Sequence, residues 1–240
     1  MKVKYNNIIL NNIVHINNYS GLGLPVTKDS ELEFDTFNGA IYDGTFFEGR
    51  VITLECNLIN SIHKTAFQKL DDLKRIIAPI GGEKKIEFDM YPDRYFLGRY
   101  SGSMDWSIEA TVQSFPLTFK CSCPFGISNE TFTESITSSG VINNIGTYKT
   151  DKIECILTIQ SGARATINNQ TTGKSLILEN KHQSAITYKI DFEHALITNE
   201  TGNTSYNNHY VSGTYFDLNP GENRIVSNVP VTFKYKTLYL

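Results

Sequence analysis

Four stretches of this 240-residue chain carry residues whose types and spacing invite chemistry. FPLTFKCSCPFGIS, residues 115–128, contains a Cys-x-Cys-Pro that could be half of a metal site or a redox pair. A structural zinc site draws four ligands from two knuckles of the Cys-x2-4-Cys type, and a redox pair prefers Cys-x-x-Cys at a helix start. Here Phe115, Leu117, Phe119, Cys121 and Cys123 occupy alternate positions, opposite Thr118, Lys120 and Ser122, so a strand puts both sulfurs on an apolar face. Cys56 shares its face with Ile52, Leu54 and Leu58, and Cys155 with Ile153, Leu157 and Ile159. The four thiols are therefore expected to be reduced core residues, as in a protein assembled in the cytoplasm.

The other three stretches lead to similar readings. YSGLGLP (19–25) has a Gly-x-Gly but neither a third glycine nor a following helix to meet a pyrophosphate, so it is expected to be a turn. Glu31, Glu33 and Asp35 alternate along ELEFDTF and could offer oxygens to calcium, although a solvated strand face accounts for them more simply. Asp191, Glu193 and His194 stand close together in IDFEHAL, but the sequence supplies neither a nucleophile nor the second histidine of a zinc motif. Gly-x-Ser-x-Gly, Walker and His-Glu-x-x-His motifs do not occur, and the five histidines are dispersed. No catalytic, cofactor-binding or metal-ligating residue is assigned, and no cofactor is expected.

The elements that would position these residues are mostly strands. VITLECNL (51–58), KIEFDM (85–90) and DWSIEATV (105–112) alternate apolar and polar residues with a period of two. HKTAFQKLDDLKRIIAP (63–79) instead spaces Phe67, Leu70, Leu73, Ile76 and Ile77 as a helix, ended by Pro79 and Gly81-Gly82. The Ser-, Thr-, Asn- and Gly-rich segment 126–150 reads as an inter-domain connection. Short strands follow at IECILTI, SLILE, AITYKID, HALIT, HYVSGTYF and VPVTFKYK, separated by turn residues, which predicts a β-sandwich. The chain is thus expected to be mainly β, with two β domains and one helix in the first.

Composition narrows the function classes. With 40% hydrophobic and 20% charged residues and a mean hydropathy of -0.25, the chain has the profile of a soluble globular protein. A net charge of -3 with scattered basic residues lacks the basic stripe of a nucleic-acid binder. No segment approaches the roughly 20 apolar residues of a membrane span, and the Asn-interrupted N-terminus is not expected to be a signal peptide. The many Asn residues read as a compositional bias without functional meaning.

The order of the pieces resembles the distal tail protein family of long-tailed phages, also called the siphophage tail component family. The resemblance rests on the Asp43-Gly44 turn leading into EGRVITLECNLI, where Arg50 precedes the strand, then on LDDLKRIIAPIGG and EKKIEFDMYPDRYFLGRYSG. It continues through FKCSCPFGIS, similar to the family's Phe-x-Cys-x-x-Pro-aromatic close, and DLNPGENRI (217–225), which resembles its Leu-x-Pro-Gly-x-Asn turn.

The resemblance implies a non-enzymatic structural hub at a phage tail tip or baseplate. It implies a ring-forming N-terminal β-sandwich-like domain at 1–128 with a helix about 63–78, a linker at 129–150 and a C-terminal galectin-like, carbohydrate-module-like β-sandwich at 151–240. The last strand would be available to pack back on the first domain. Implied partners are the protein itself as a homohexamer, the tail tube protein and a tail-tip, tail-associated lysin or fibre protein. The resemblance also allows contact with the tape measure, and implies neither sequence-specific nucleic-acid binding nor membrane insertion. The location implied is the virion tail tip, after synthesis and assembly in the host cytoplasm, with DNA passing through the ring during ejection. The alternatives are a β-sandwich protein that attaches to host cell-wall glycans, with Tyr206, Tyr210, Tyr215 and Phe216 available to stack on a sugar, or the equivalent hub of a tail-like bacteriocin.

Overall fold

The computed structural model describes residues 1–33, 40–59, 65–78, 80–102 and 114–240. The chain divides into two compact units, Met1–Gly126 (with Leu240) and Ile127–Tyr239. The DWSIEATV strand, Asp35 and the expected first residues of the helix, His63 and Lys64, lie outside the described residues.

In the first unit β1 (Val3–Tyr5), β2 (Ile8–Ile9), β3 (Val14–Ser20), β4 (Thr27–Glu33), β5 (Ala40–Phe47) and β6 (Arg50–Leu58) precede helix α1 (Ala66–Ile77). β7 (Lys84–Phe88), β8 (Arg94–Tyr100) and β9 (Ser114–Cys121) follow it. The sheet order is β2-β1-β7-β8-β9-β6-β3, and β4 and β5 form a separate hairpin. The alternation in β6 and β9 sends Ile52, Leu54, Cys56, Phe115, Leu117, Phe119 and Cys121 into one core with Tyr5, Ile86, Phe88 and Phe96. This is the half-buried strand pattern read from VITLECNL and FPLTFKC.

Helix α1 starts at a capping box in which the Thr65 hydroxyl accepts from Gln68 N at 3.3 Å and the Gln68 side chain accepts from Thr65 N at 3.0 Å. Leu70, Leu73 and Ile77 form its buried stripe. Phe67 was expected on that stripe but is 55% exposed. At 100° per residue it sits about 90° round from the centre of the other three, so it cannot face the core with them.

The second unit is a sandwich. β11 (Phe132–Ile136), β12 (Ser139–Asn144), β13 (Ile153–Ile159), β14 (Arg164–Asn169), β15 (Lys174–Glu179) and β16 (Ile186–Asp191) follow a short β10 (Gly126–Ser128). β17 (Leu196–Asn199), β18 (Tyr210–Gly213), β19 (Gly221–Ser227) and β20 (Val231–Tyr235) complete it, and β21 (Leu238–Tyr239) pairs with β10 outside its two sheets. Two five-stranded sheets, β11-β20-β13-β16-β17 and β12-β19-β14-β15-β18, enclose a core that includes Cys155, Leu157, Tyr188, Ile190 and Phe233 from one and Ile142, Ile167, Leu176, Leu178 and Ile225 from the other.

The segment expected to be a linker, 129–150, instead supplies an edge strand to each sheet, β11 and β12. An edge strand facing solvent needs few apolar residues, and these two bury Ile136 and Ile142 while Thr133, Ser135, Ser139 and Asn143 face outward. The Asn residues also have a structural use. Asn180 donates to the carbonyls of Ile159 and Ser184, both at 2.8 Å, and accepts from His182 N at 3.0 Å. Asn144 donates to Leu218 O at 3.0 Å and accepts from Gly146 N at 3.0 Å. Asn169 and Asn223 satisfy loop backbone groups in the same way, and all four are at most 1% exposed. Much of the Asn content is thus wiring for strand ends.

Candidate functional site

Two of the stretches singled out by their chemistry meet at one buried side chain. Arg50, at the start of β6, is 3% exposed and donates from Nε to the Pro124 carbonyl at 2.7 Å and from Nη1 to the carbonyls of Gly21 and Gly23, each at 2.8 Å. Its guanidinium lies 5.1 Å from the centre of the Phe96 ring. Burial lowers its pKa, and among the described residues its Nη2 has no partner. The Gly-x-Gly is therefore a turn that presents two carbonyls, and Pro124 supplies the third. Gly21 has to be glycine: its φ is +88°, and a Cβ there would lie 1.9 Å from the Val51 carbonyl oxygen.

The cysteines follow the strand reading except at the end. Cys56, Cys121 and Cys155 are buried thiols, and burial pushes the first two up to about 12 and raises the third. Cys123 was placed on the same face as Cys121, yet β9 stops at Cys121 and Cys123 is half-buried, with its Sγ 3.9 Å from Phe125 O. Once the strand ends, period-two alternation no longer fixes which way a side chain points. Among the described residues no group of three or more His, Cys, Asp or Glu is placed to hold a metal ion.

Asp191, Glu193 and His194 come together as turn chemistry. Asp191 and Leu196 pair across the β16–β17 hairpin, whose tip carries Ala195 at φ +50°. Asp191 accepts from His194 N at 3.2 Å, and its other oxygen meets His194 Nδ1 at 2.8 Å. Glu193 pairs with Lys152. Asp191 raises the pKa of His194, a fully exposed imidazole at the turn. Glu31 and Glu33 lie at the end of β4, and Asp35 falls outside the described residues.

Of the aromatic residues considered for sugar stacking, Phe216 is 1% exposed and belongs to the core, and Tyr206 and Tyr215 are half-buried against it. Tyr210 is exposed, stacked on Tyr215 with planes 8° apart and centres 6.4 Å apart, and its hydroxyl donates to Gly213 O at 2.8 Å. A second aromatic group was not visible in one dimension. The Tyr188 hydroxyl and His209 Nδ1 are hydrogen-bonded at 2.7 Å inside the sandwich, with Tyr206 and His182 packed on the His209 ring at 5.0 and 5.1 Å. Burial first, then His182 and Lys181, lowers the His209 pKa. These residues come from separate strands and loops, so no spacing in sequence marks them.

Comparison with known proteins adds three findings. Residues 9–121 match a family model described as a phage tail protein RIFT-related domain, and residues 145–239 match one described as the siphovirus-type tail component, C-terminal domain. Among solved structures, the SPP1 Dit (gp 19.1) protein, described as a paradigm of hub adsorption apparatus in Gram-positive infecting phages, aligns with a TM-score of 0.80 at 14% identity over 100% of this chain and 99% of its own. A chain of the phage p2 baseplate in its activated conformation with Ca aligns with a TM-score of 0.51 at 11% identity, covering 98% of this chain and 97% of that one. At such identities the likeness is one of fold. A comparison with curated proteins by sequence gives no match.

Proposed function

This chain belongs to the siphophage tail component family, the Dit family, and from that premise we propose that it is the structural hub of a phage tail tip or baseplate. In this reading it forms a homohexameric ring that joins the tail tube to tail-tip, lysin or fibre proteins and lets DNA pass during ejection. The observation that carries the reading is the succession of the two matched domains, one over each half of the chain, with a solved hub protein sharing the fold along the whole length. The role is architectural rather than catalytic: the residues most open to a chemical reading are engaged as strand cores, carbonyl acceptors and hairpin turns.

The DNA path also suits the charge. A net charge of -3 without a basic stripe leaves little to hold a phosphate backbone as it passes. A closed ring needs head-to-tail interfaces that return on themselves. Light scattering and negative-stain microscopy of the purified chain, alone and with tail tube and tip proteins, test the proposal. Six-fold rings with the mass of six 27.1 kDa chains are expected, and a strict monomer that joins neither partner overturns it.

A second reading, attachment to cell-wall glycans by the C-terminal sandwich, draws on the exposed Tyr210 stacked on Tyr215. Retention on purified cell-wall polysaccharide that Tyr210→Ala abolishes would establish it. Equal retention of the variant would exclude this aromatic pair as the platform.

A further inference from the structure

Val51, Lys120 and Arg99 form a row across three neighbouring strands: Val51 pairs with Lys120 between β6 and β9, and Lys120 pairs with Arg99 between β9 and β8. The residues next to them, Ile52, Phe119 and Tyr100, turn to the core, so the row lies on the outer face of the sheet. Val51 is 47% exposed, and both cations are exposed. Like charges directly opposite on adjacent strands repel. Among the described residues, the side chains of Arg99 and Lys120 have no ion-pair or hydrogen-bond partner.

The row opens on a cavity of about 480 Å³ lined also by Arg50, Cys121, Glu48, Glu83 and Ser122. Glu83 is already occupied, accepting from Ser122 N and from its hydroxyl, each at 2.7 Å. Arg50, also on the lining, is a buried cation whose hydrogen bonds all go to carbonyls. With no carboxylate partner, Arg50 keeps its positive charge at the edge of the cavity.

We propose that this cavity docks an acidic segment of a partner protein, one that brings a carboxylate to Arg99 and Lys120 and an apolar side chain to Val51. Cations outnumber carboxylates around the cavity, Arg50, Arg99 and Lys120 against Glu48 and Glu83, and a carboxylate between Arg99 and Lys120 would relieve their repulsion. The exposed Val51 adds an apolar contact suited to a protein side chain. Glu48 and Glu83 border the cavity, and their charge disfavours a continuous polyanion such as nucleic acid, whereas one or two carboxylates fit between them and the cations. The proposal stands on a single copy of the chain and does not depend on ring assembly.

The test is fluorescence anisotropy with the full chain and a labelled, capped peptide in which two glutamates are flanked by leucines. Its glutamine counterpart and a single-stranded oligonucleotide of similar length serve as controls. The glutamate peptide is expected to bind, to be weakened by salt, and to lose about tenfold or more in affinity to the double variant Arg99→Gln/Lys120→Gln. Both positions are exposed, so the variant should keep its unfolding midpoint in urea. Absence of glutamate-peptide binding, equal binding of the glutamine peptide or an unchanged affinity in the double variant overturns the proposal. An oligonucleotide that binds more tightly than the peptide and is released by the same variant assigns the face to nucleic acid instead.

Discussion

Arg50 Nε donates to the carbonyl of Pro124 at 2.7 Å across 74 residues of sequence, while Nη1 of the same side chain holds both Gly21 and Gly23. Lysine has a single nitrogen and no planar fork, so Arg50→Lys cannot reach all three carbonyls at once. Its expected cost is about 2–4 kcal/mol of stability, since buried acceptors are left without donors. Urea unfolding of parent and variant measures this, and coincident midpoints would show that the clamp contributes nothing.

The thiols divide by accessibility. Cys56 and Cys121 are buried and pushed from the ordinary 9.0 up to about 12, Cys155 is buried and also raised, and Cys123 is half-buried beyond the end of β9. Because the thiolate is the reactive form, iodoacetamide on the native chain near neutral pH should modify Cys123 well before the other three, as read by peptide mass spectrometry. The same shifts carry a sign. Their contribution to stability is present below pH 9.0 and is lost as pH rises from there toward about 12, where the unfolded thiols ionise and the folded ones do not. Equal modification of all four, or one equivalent of tightly bound zinc in the pure protein, would contradict this account.

His209 works at the other end of the pH scale. Its pKa is held below 6.5, by burial first and by the neighbouring His182 and Lys181 next. A base with a depressed folded pKa contributes stability above its unfolded value, which is lost as pH falls below 6.5 through the folded pKa. His194, raised by Asp191, has the opposite sign, but its full exposure leaves it little weight. His209→Gln should therefore lose less stability than the parent between about pH 7 and pH 5. Parallel losses in denaturant melts across that range would remove His209 from the acid response.

Asn180 offers a test of the wiring. Replacing it with alanine leaves the carbonyls of Ile159 and Ser184 and the amide of His182 without their partner. The expected loss is about 2–3 kcal/mol. Asn208→Ala, at an exposed position nearby, should change stability by no more than about 0.5 kcal/mol. Equal effects from the two substitutions would return Asn180 to mere composition.

Legibility in the sequence followed the apolar pattern. β6, β9, β13 and β16 were readable because each places at least two large apolar residues at period two, as Ile52, Leu54 and Cys56 do in β6. β12, β14 and β19 were missed because inward positions are taken by Asn144, Asn169 and Asn223, polar residues that the loops satisfy. Arg50 stood out as part of a family pattern, and the two Gly and Cys motifs stood out as spacing. That one side chain joins them is a fact of three dimensions, as is the meeting of Tyr188, Tyr206, His182 and His209.

The place of β20 in its sheet sets a timetable for folding. It lies between β11 and β13, and Ser135 meets Thr232 across a separation of 97 residues. During synthesis β11 has no strand to pair with until residues 231–235 have left the ribosome, so this sheet of the sandwich closes by the late insertion of an interior strand. Such long-range pairing is slow. Until then β11 and β13 each expose an open edge that another nascent chain could occupy. The exposed charges and hydroxyls of Thr133, Glu134 and Ser135 along the waiting β11 strand are the kind that discourage such pairing.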